Sequence, residues 1–234
     1  SEESDAILAV LASGMIAQGP VTAAFEEEFA AYCGVPHAVA VSNGTTALHA
    51  ALLAAGVGPG DEVIVPAFTF FATASSVSMC GARPVFADVD AATATIDPAD
   101  ILAKVTPKTK AVIGVHLYGQ PCDAGAVRDI CDEKGLVFIE DAAQAHGAEY
   151  RGKRAGALGD LACFSFYATK NLATGEGGMV TTGSDEYDQH LRRLINHGQS
   201  EKYLHTELGY NYRMTDINAA IGRVQLAKLD GFNR

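Results

Sequence analysis

Three short segments carry residue types that can do chemistry. Ser42-Asn43-Gly44-Thr45-Thr46-Ala47 follows the apolar run Val39-Ala40-Val41 and opens an Ala- and Leu-rich stretch ending near Ala55. Glycine permits a tight turn there, a helix N-terminus offers free N–H groups, and the threonines offer hydroxyls. Such a turn can cradle a phosphate, although an ordinary N-cap has the same composition. Glu140-Asp141 follows the apolar strand Leu136-Val137-Phe138-Ile139. A carboxylate at a buried strand end is costly unless it meets a cation or a donor, the bland option being a helix cap. Phe164-Ser165-Phe166-Tyr167-Ala168-Thr169-Lys170-Asn171 sets a lysine just past another strand, ahead of Gly175, Gly177 and Gly178. A desolvated lysine loses its proton readily and forms an imine with a carbonyl, whereas an open-loop lysine stays a solvated cation.

Together the three segments match the needs of pyridoxal 5'-phosphate. That cofactor needs its phosphate held, its pyridine nitrogen kept protonated and its aldehyde bound by a lysine. Lys170 follows Asp141 by 29 residues, which leaves room for a turn and a strand between them.

The elements that would position these residues alternate along the chain. Helices are predicted over 3–13 and 21–33, the second stopped by Gly34, then strand 39–41 and helix 47–55. Strand 62–65, helix 71–80 and strand 84–87 follow, then a short helix capped by Asp97-Pro98 and running to Lys104. Strand 111–115, helix 123–134 and strand 136–139 continue the rhythm. Beyond residue 147 come a turn between short strands at 149–154, strands 163–166 and 178–182, and helices 184–197 and 215–230. The strands are apolar throughout, as strands buried on both faces are. The predicted class is α/β, with a mostly parallel sheet covered by helices on both faces.

Composition narrows the partners. Apolar residues make up 48% and charged residues 19% of 234 residues, a globular balance. The formal net charge is −11 with no Lys/Arg cluster, which argues against a nucleic-acid surface. No apolar run reaches the roughly 18 residues of a membrane span. Five scattered cysteines, with no C-x-x-C, read as core thiols of a cytoplasmic protein. Seven histidines form no H-E-x-x-H, so no metal is expected. No strand-G-x-G-x-x-G-helix signals a nicotinamide site.

Several segments, in order along the whole chain, resemble one family. They are Gly19-Pro20 with Phe25-Glu26; Ser42 to Leu48; Pro66-Ala67-Phe68-Thr69-Phe70; Val115-His116-Leu117-Tyr118-Gly119; Glu140-Asp141-Ala142-Ala143-Gln144-Ala145; Ser165 to Asn171; and Gly209-Tyr210-Asn211-Tyr212-Arg213-Met214. The chain thereby resembles the DegT/DnrJ/EryC1/StrS sugar aminotransferases, of the aspartate-aminotransferase-like fold. The resemblance implies that Lys170 is the Schiff-base lysine and proton carrier, and that Asp141 pairs with the pyridinium nitrogen. It implies that Gln144 approaches the ring hydroxyl or face, that Phe70 stacks on the ring, and that Thr45, Thr46 and Ser165 bind the phosphate. Asn211 matches a residue supplied to the neighbouring site, which implies a homodimer. His116 falls in a matching motif, which leaves open a core or cofactor-rim role or a part in the chemistry, and the resemblance would let Arg213 shape the loop beside Asn211.

The implied reaction passes an amine from glutamate or glutamine to the cofactor, then to a keto group of a nucleotide-linked deoxysugar. Relatives that dehydrate sugars carry His in place of this lysine, so Lys170 favours transamination. The alternatives are a non-nucleotide carbonyl, such as a cyclitol or aminobenzoate precursor, or a cofactor-binding domain without turnover. Because the family continues into a smaller C-terminal domain, residues 1–234 are expected to be the cofactor-binding large domain of a longer protein.

Overall fold

The computed structural model describes residues 1–234. Its elements are α1 (Glu2–Ser13), α2 (Pro20–Cys33), β1 (His37–Val41), α3 (Gly44–Ala54), β2 (Glu62–Pro66), α4 (Phe71–Met79), β3 (Arg83–Ala87), α5 (Pro98–Lys104), β4 (Thr109–Val115), α6 (Ala124–Lys134), β5 (Val137–Asp141), the hairpin β6 (Glu149–Tyr150) and β7 (Lys153–Arg154), β8 (Leu161–Ser165), β9 (Gly178–Thr182), α7 (Asp185–Leu194), the hairpin β10 (Gln199–Glu201) and β11 (Leu204–His205), and α8 (Asp216–Phe232). Seven strands form one sheet in the order β1-β9-β8-β5-β4-β2-β3. Neighbours from β8 through β3 are parallel, and only β9 runs against the rest, pairing antiparallel with both β8 and β1. Six strands therefore end on the same edge.

The sheet is apolar on both faces because both are covered. Val39 and Val41, Val63 and Val65, and Ile113 and Val115 face a core closed by α3, α4 and α7. The alternate residues Ala38, Ala40, Phe164 and Met179 meet α2 and α8, while Ile64, Val112 and Phe138 meet α5 and α6. That period-two split is the side-chain alternation of a strand applied to a doubly buried sheet.

Two boundaries differ from the sequence expectation, each for a physical reason. Strand β5 does not stop at Ile139; Glu140 and Asp141 stay in register with Gly114 and Val115 of β4. Their carboxylates find donors inside the fold, so the ladder continues and Asp141 caps no helix. Helix α7 ends at Leu194 rather than 197, because His197 and Gly198 turn into left-handed backbone and lead to the unpredicted hairpin β10–β11.

One buried carboxylate joins the chain's two ends. Helix α2 begins at Gly19-Pro20 with no side-chain cap of its own. Asp216, 1% exposed at the start of α8, accepts the N–H groups of Gly19 (2.8 Å), Val21 (3.2 Å) and Thr22 (2.9 Å) and the Thr22 hydroxyl (2.6 Å). It caps α2 from 197 residues away. Asp216→Ala strands those donors in the interior and is expected to cost about 3 kcal/mol, read as a lower urea midpoint at unchanged slope.

Candidate active site

The shared edge of the six co-directed strands gathers the chemistry. A cavity of about 680 Å³ opens there, lined by Thr45, Thr46, Phe70, Asp141, Gln144, Ser165 and Lys170. Every residue to which the resemblance gives a cofactor contact therefore lines one space, except Asn211.

The cradle forms where α3 starts after β1. Asn43 caps the helix: its side chain accepts the Thr46 N–H at 2.9 Å, and Thr46 Oγ1 accepts the Asn43 N–H at 3.1 Å and donates to the Asn43 carbonyl at 2.8 Å. The Thr46 hydroxyl is thus committed to the cap. The N–H groups of Gly44 and Thr45 have no partner in the protein, and with the Thr45 hydroxyl they remain available. Gly44 lies against β8 so closely that a Cβ would stand 2.7 Å from that of Ser165. A side chain at residue 44 would crowd Ser165 where the helix terminus and that hydroxyl face one space, an arrangement able to hold an anion such as a phosphate.

Asp141 is the carboxylate at the cavity floor, 6% exposed. Oδ2 accepts the Thr73 hydroxyl at 2.7 Å and Oδ1 the Ala143 N–H at 3.2 Å. Burial pushes its pKa up, and the Thr73 bond, the Ala143 N–H and the Lys170 charge pull it back. A carboxylate so placed gains from a cation delivered into the cavity, such as a protonated pyridine nitrogen.

His116 is structural. It is fully buried beside Glu140, which is also fully buried and accepts the N–H groups of Gly156, Leu158 and Gly159 at 2.7–2.9 Å. His116 Nε2 meets Glu140 at 2.9 Å, and the Cys122 N–H donates to Nδ1 at 3.2 Å. Burial opposes a charge on this ring, while its hydrogen bonds and the Glu140 carboxylate pull its pKa upward. We assign the neutral Nε2–H tautomer, because a proton on Nδ1 would face the Cys122 donor. His116 and Glu140 together tie β4, β5 and the 156–159 turn under the cavity floor.

Lys170 lines this cavity and a second, polar one of about 630 Å³ on its other side. Gln144 also belongs to both, and its Oε1 accepts the Tyr118 N–H at 2.8 Å. That bond supports Tyr118 at φ +53°, a backbone that side chains rarely adopt. Beneath Lys170, His146 packs against the rings of Phe164 and Phe166, with neither ring nitrogen hydrogen-bonded. Burial, reinforced by the Lys170 charge, lowers its pKa from 6.5 to about 4. The unfolded chain takes up this proton below 6.5 and the folded chain only near 4, so stability falls as pH drops through that window. The expected loss is on the order of 3 kcal/mol. The urea midpoint of wild type should fall relative to that of His146→Leu as the pH is lowered from about 7 to about 4.5.

Phe70 caps α4 at the cavity mouth, 70% exposed, beside the exposed Phe68 and Phe71. Asn211 is exposed and stands outside the cavity. Its segment runs along β1, where the Tyr212 carbonyl accepts the Ser42 N–H at 2.8 Å. Arg213 Nη1 donates to Asn196 Oδ1 at 2.6 Å and braces that segment. Sequence reading missed Thr69, Thr73 and Glu176. The two threonines stand four residues apart, one helical turn, but nothing local marks them as partners of a carboxylate 68 residues away.

The chain is similar to known proteins along its whole length. The family model described as the DegT/DnrJ/EryC1/StrS aminotransferase family matches residues 1–234. A GDP-perosamine synthase of Caulobacter vibrioides is 52% identical over 208 residues, covering 88% of this chain and 56% of that protein. The X-ray structure of DesV from S. venezuelae superposes with a TM-score of 0.96 at 48% identity, covering 98% of this chain and 62% of DesV. A 3-amino-5-hydroxybenzoic acid synthase gives 0.96 at 41% identity, with 98% and 62% covered. This chain thus spans about three-fifths of the length of such relatives. With the phosphate cradle, the buried Asp141 and Lys170 on one strand edge, and a match along its whole length, the chain belongs to the DegT/DnrJ/EryC1/StrS aminotransferase family.

Proposed function

We propose that this chain is the cofactor-binding large domain of a pyridoxal-phosphate-dependent aminotransferase. It moves an amine from glutamate or glutamine to the keto group of a nucleotide-linked deoxysugar. The observation that carries this is the convergence of the Gly44–Thr45 helix terminus, Asp141 and Lys170 on one cavity. The residues fit the cofactor: unpartnered N–H donors with Ser165 for a phosphate, a buried carboxylate for a ring cation, and a lysine for an aldehyde. When bound, the cofactor supplies an electron sink for the carbon that gains or loses the amine. Asp141 holds a proton on the ring nitrogen. Lys170 anchors the aldehyde through Nζ and, once freed by the incoming amine, carries a proton to and from the reacting carbon. Phe70 would cover a ring face, and Gln144, fixed through Tyr118, would approach the ring hydroxyl or face.

The protein mixed with pyridoxal phosphate should gain a visible band that borohydride fixes to Lys170, and glutamate should bleach it. A band that persists with glutamate would favour cofactor binding without turnover. Ketosugar nucleotides should then restore the band. Restoration by a non-nucleotide ketone alone would favour the second reading, which the likeness to the aminobenzoate synthase supports.

The same proposal includes a cytoplasmic homodimer with no membrane or nucleic-acid partner. Five buried, unpaired cysteines suit a reducing compartment, and no helix is long and apolar enough to cross a membrane. The exposed Phe68, Phe70 and Phe71 suit a second copy, whose Asn211 would reach this site. Asn211→Ala and Lys170→Ala chains, each weak alone, should on mixing recover about a quarter of the wild-type rate, since half the dimers then carry one intact site. Recovery absent despite exchange of subunits would remove Asn211 from the shared site.

A further inference from the structure

Behind Asp141 lies a pair of hydroxyls. Thr73 is fully buried, and its hydroxyl hydrogen goes to Asp141 Oδ2 at 2.7 Å. Its oxygen also lies 2.8 Å from Thr69 Oγ1. Because Thr73 has one hydroxyl hydrogen, already committed, Thr69 must be the donor in that second bond. The result is a directed chain, Thr69 to Thr73 to Asp141, laid along the first turn of α4. Thr69 lines the cavity, so the chain starts and ends at the same space.

We propose that Thr69 and Thr73 are positioning residues that keep the cofactor's ring proton on nitrogen and off Asp141, a role that rests on the pyridoxal-phosphate reading. Burial alone drives Asp141 toward its neutral form. In a dry site an acid and a pyridine share one proton, and whichever partner is the stronger base keeps it. A hydroxyl donating to the carboxylate weakens it as a base. A second hydroxyl donating to the first polarises that bond further. The groups facing Asp141 cannot all substitute. His116 faces Glu140, Cys163 is a buried thiol whose own pKa burial pushes up, and Lys170 is occupied when the cofactor is bound. Thr73 is thus the one side-chain donor Asp141 has in the protein, alongside the Ala143 N–H.

The test uses pyridoxal phosphate labelled with ¹⁵N at the ring and bound to wild type, Thr73→Val, Thr73→Ser and Thr69→Val. The ring-nitrogen shift reports the proton directly, independently of turnover. Thr73→Val should move it toward the neutral-pyridine value and slow the glutamate half-reaction roughly 10- to 100-fold, the worth of one charge-assisted hydrogen bond. Thr73→Ser should restore both. Thr69→Val should move the shift in the same direction by less, and it also serves if Thr73→Val fails to fold. A pyridinium shift unchanged in both valine variants, with only the melting temperature lowered, overturns the relay. A wild-type protein that binds the cofactor without a pyridinium signal instead overturns the role given to Asp141, and the relay with it.

Discussion

Lys170→Ala should bind pyridoxal phosphate without the visible band, yield no borohydride adduct, and lose transamination by at least about 10⁴-fold. The lysine does two jobs that no neighbour can take over. On the proposed reading it would anchor the aldehyde and carry the proton at the reacting carbon, the second a contribution of roughly 10²–10⁴-fold on its own. The other titratable groups near the cavity are unsuited. Asp141 would face the ring nitrogen, His116 is tied to Glu140 and Cys122, and His146 lies beneath, packed on Phe164 and Phe166. The cofactor should still be held through the Gly44–Thr45 cradle, so equilibrium dialysis should show weakened but measurable binding. A borohydride adduct of undiminished yield in Lys170→Ala would assign the anchor to another lysine. Lys170→Arg, which keeps the charge but cannot form the covalent link, should be equally inactive.

The second large effect belongs to Asp141. Asp141→Asn removes the charge that holds the ring proton and is expected to lower the glutamate half-reaction about 10³-fold, the scale of losing a preorganised electrostatic partner. The same substitution should leave the cofactor-free protein as stable as wild type, or more so. Burial disfavours the Asp141 carboxylate, and an amide can accept the Ala143 N–H through its oxygen and donate its NH2 to the Thr73 hydroxyl oxygen, that hydroxyl turning its hydrogen to Thr69. Stability and activity thus part at this residue, as they do where a site stores an unpaired charge for its ligand. Thermal melts with and without cofactor check this: wild type should gain more from the cofactor than Asp141→Asn does. Equal gains would mean that Asp141 does not meet a cation.

Much of the fold was legible because its causes are local. Val39-Ala40-Val41 and Cys163-Phe164-Ser165-Phe166 read as buried strands from apolar content, the second found one to two residues earlier as β8, and Gly34 ends α2 in left-handed backbone where a helix stop was expected. The cradle was legible for the same reason. Asn43, Gly44 and Thr46 are neighbours, and their capping box closes within four residues. Glu140 and Asp141 drew notice as charges in an apolar strand, but their different roles could not be read there. Glu140 is satisfied by amides 16–19 residues on, and Asp141 by a hydroxyl 68 residues back.

The sequence by itself determined most of the helices and strands, the α/β class and the identity of Lys170, Asp141 and the 42–47 turn as residues able to do chemistry. These follow from side-chain type and spacing, which act over a few residues. Tertiary structure alone decided that the ends of β1, β5 and β8 meet at one cavity, that Thr73 stands behind Asp141, that His116 serves Glu140, and that Asp216 caps α2. Each depends on the strand order β1-β9-β8-β5-β4-β2-β3 and on how the helices pack across it. Strand order places partners by register and packing rather than by distance along the chain, so no local pattern could name them.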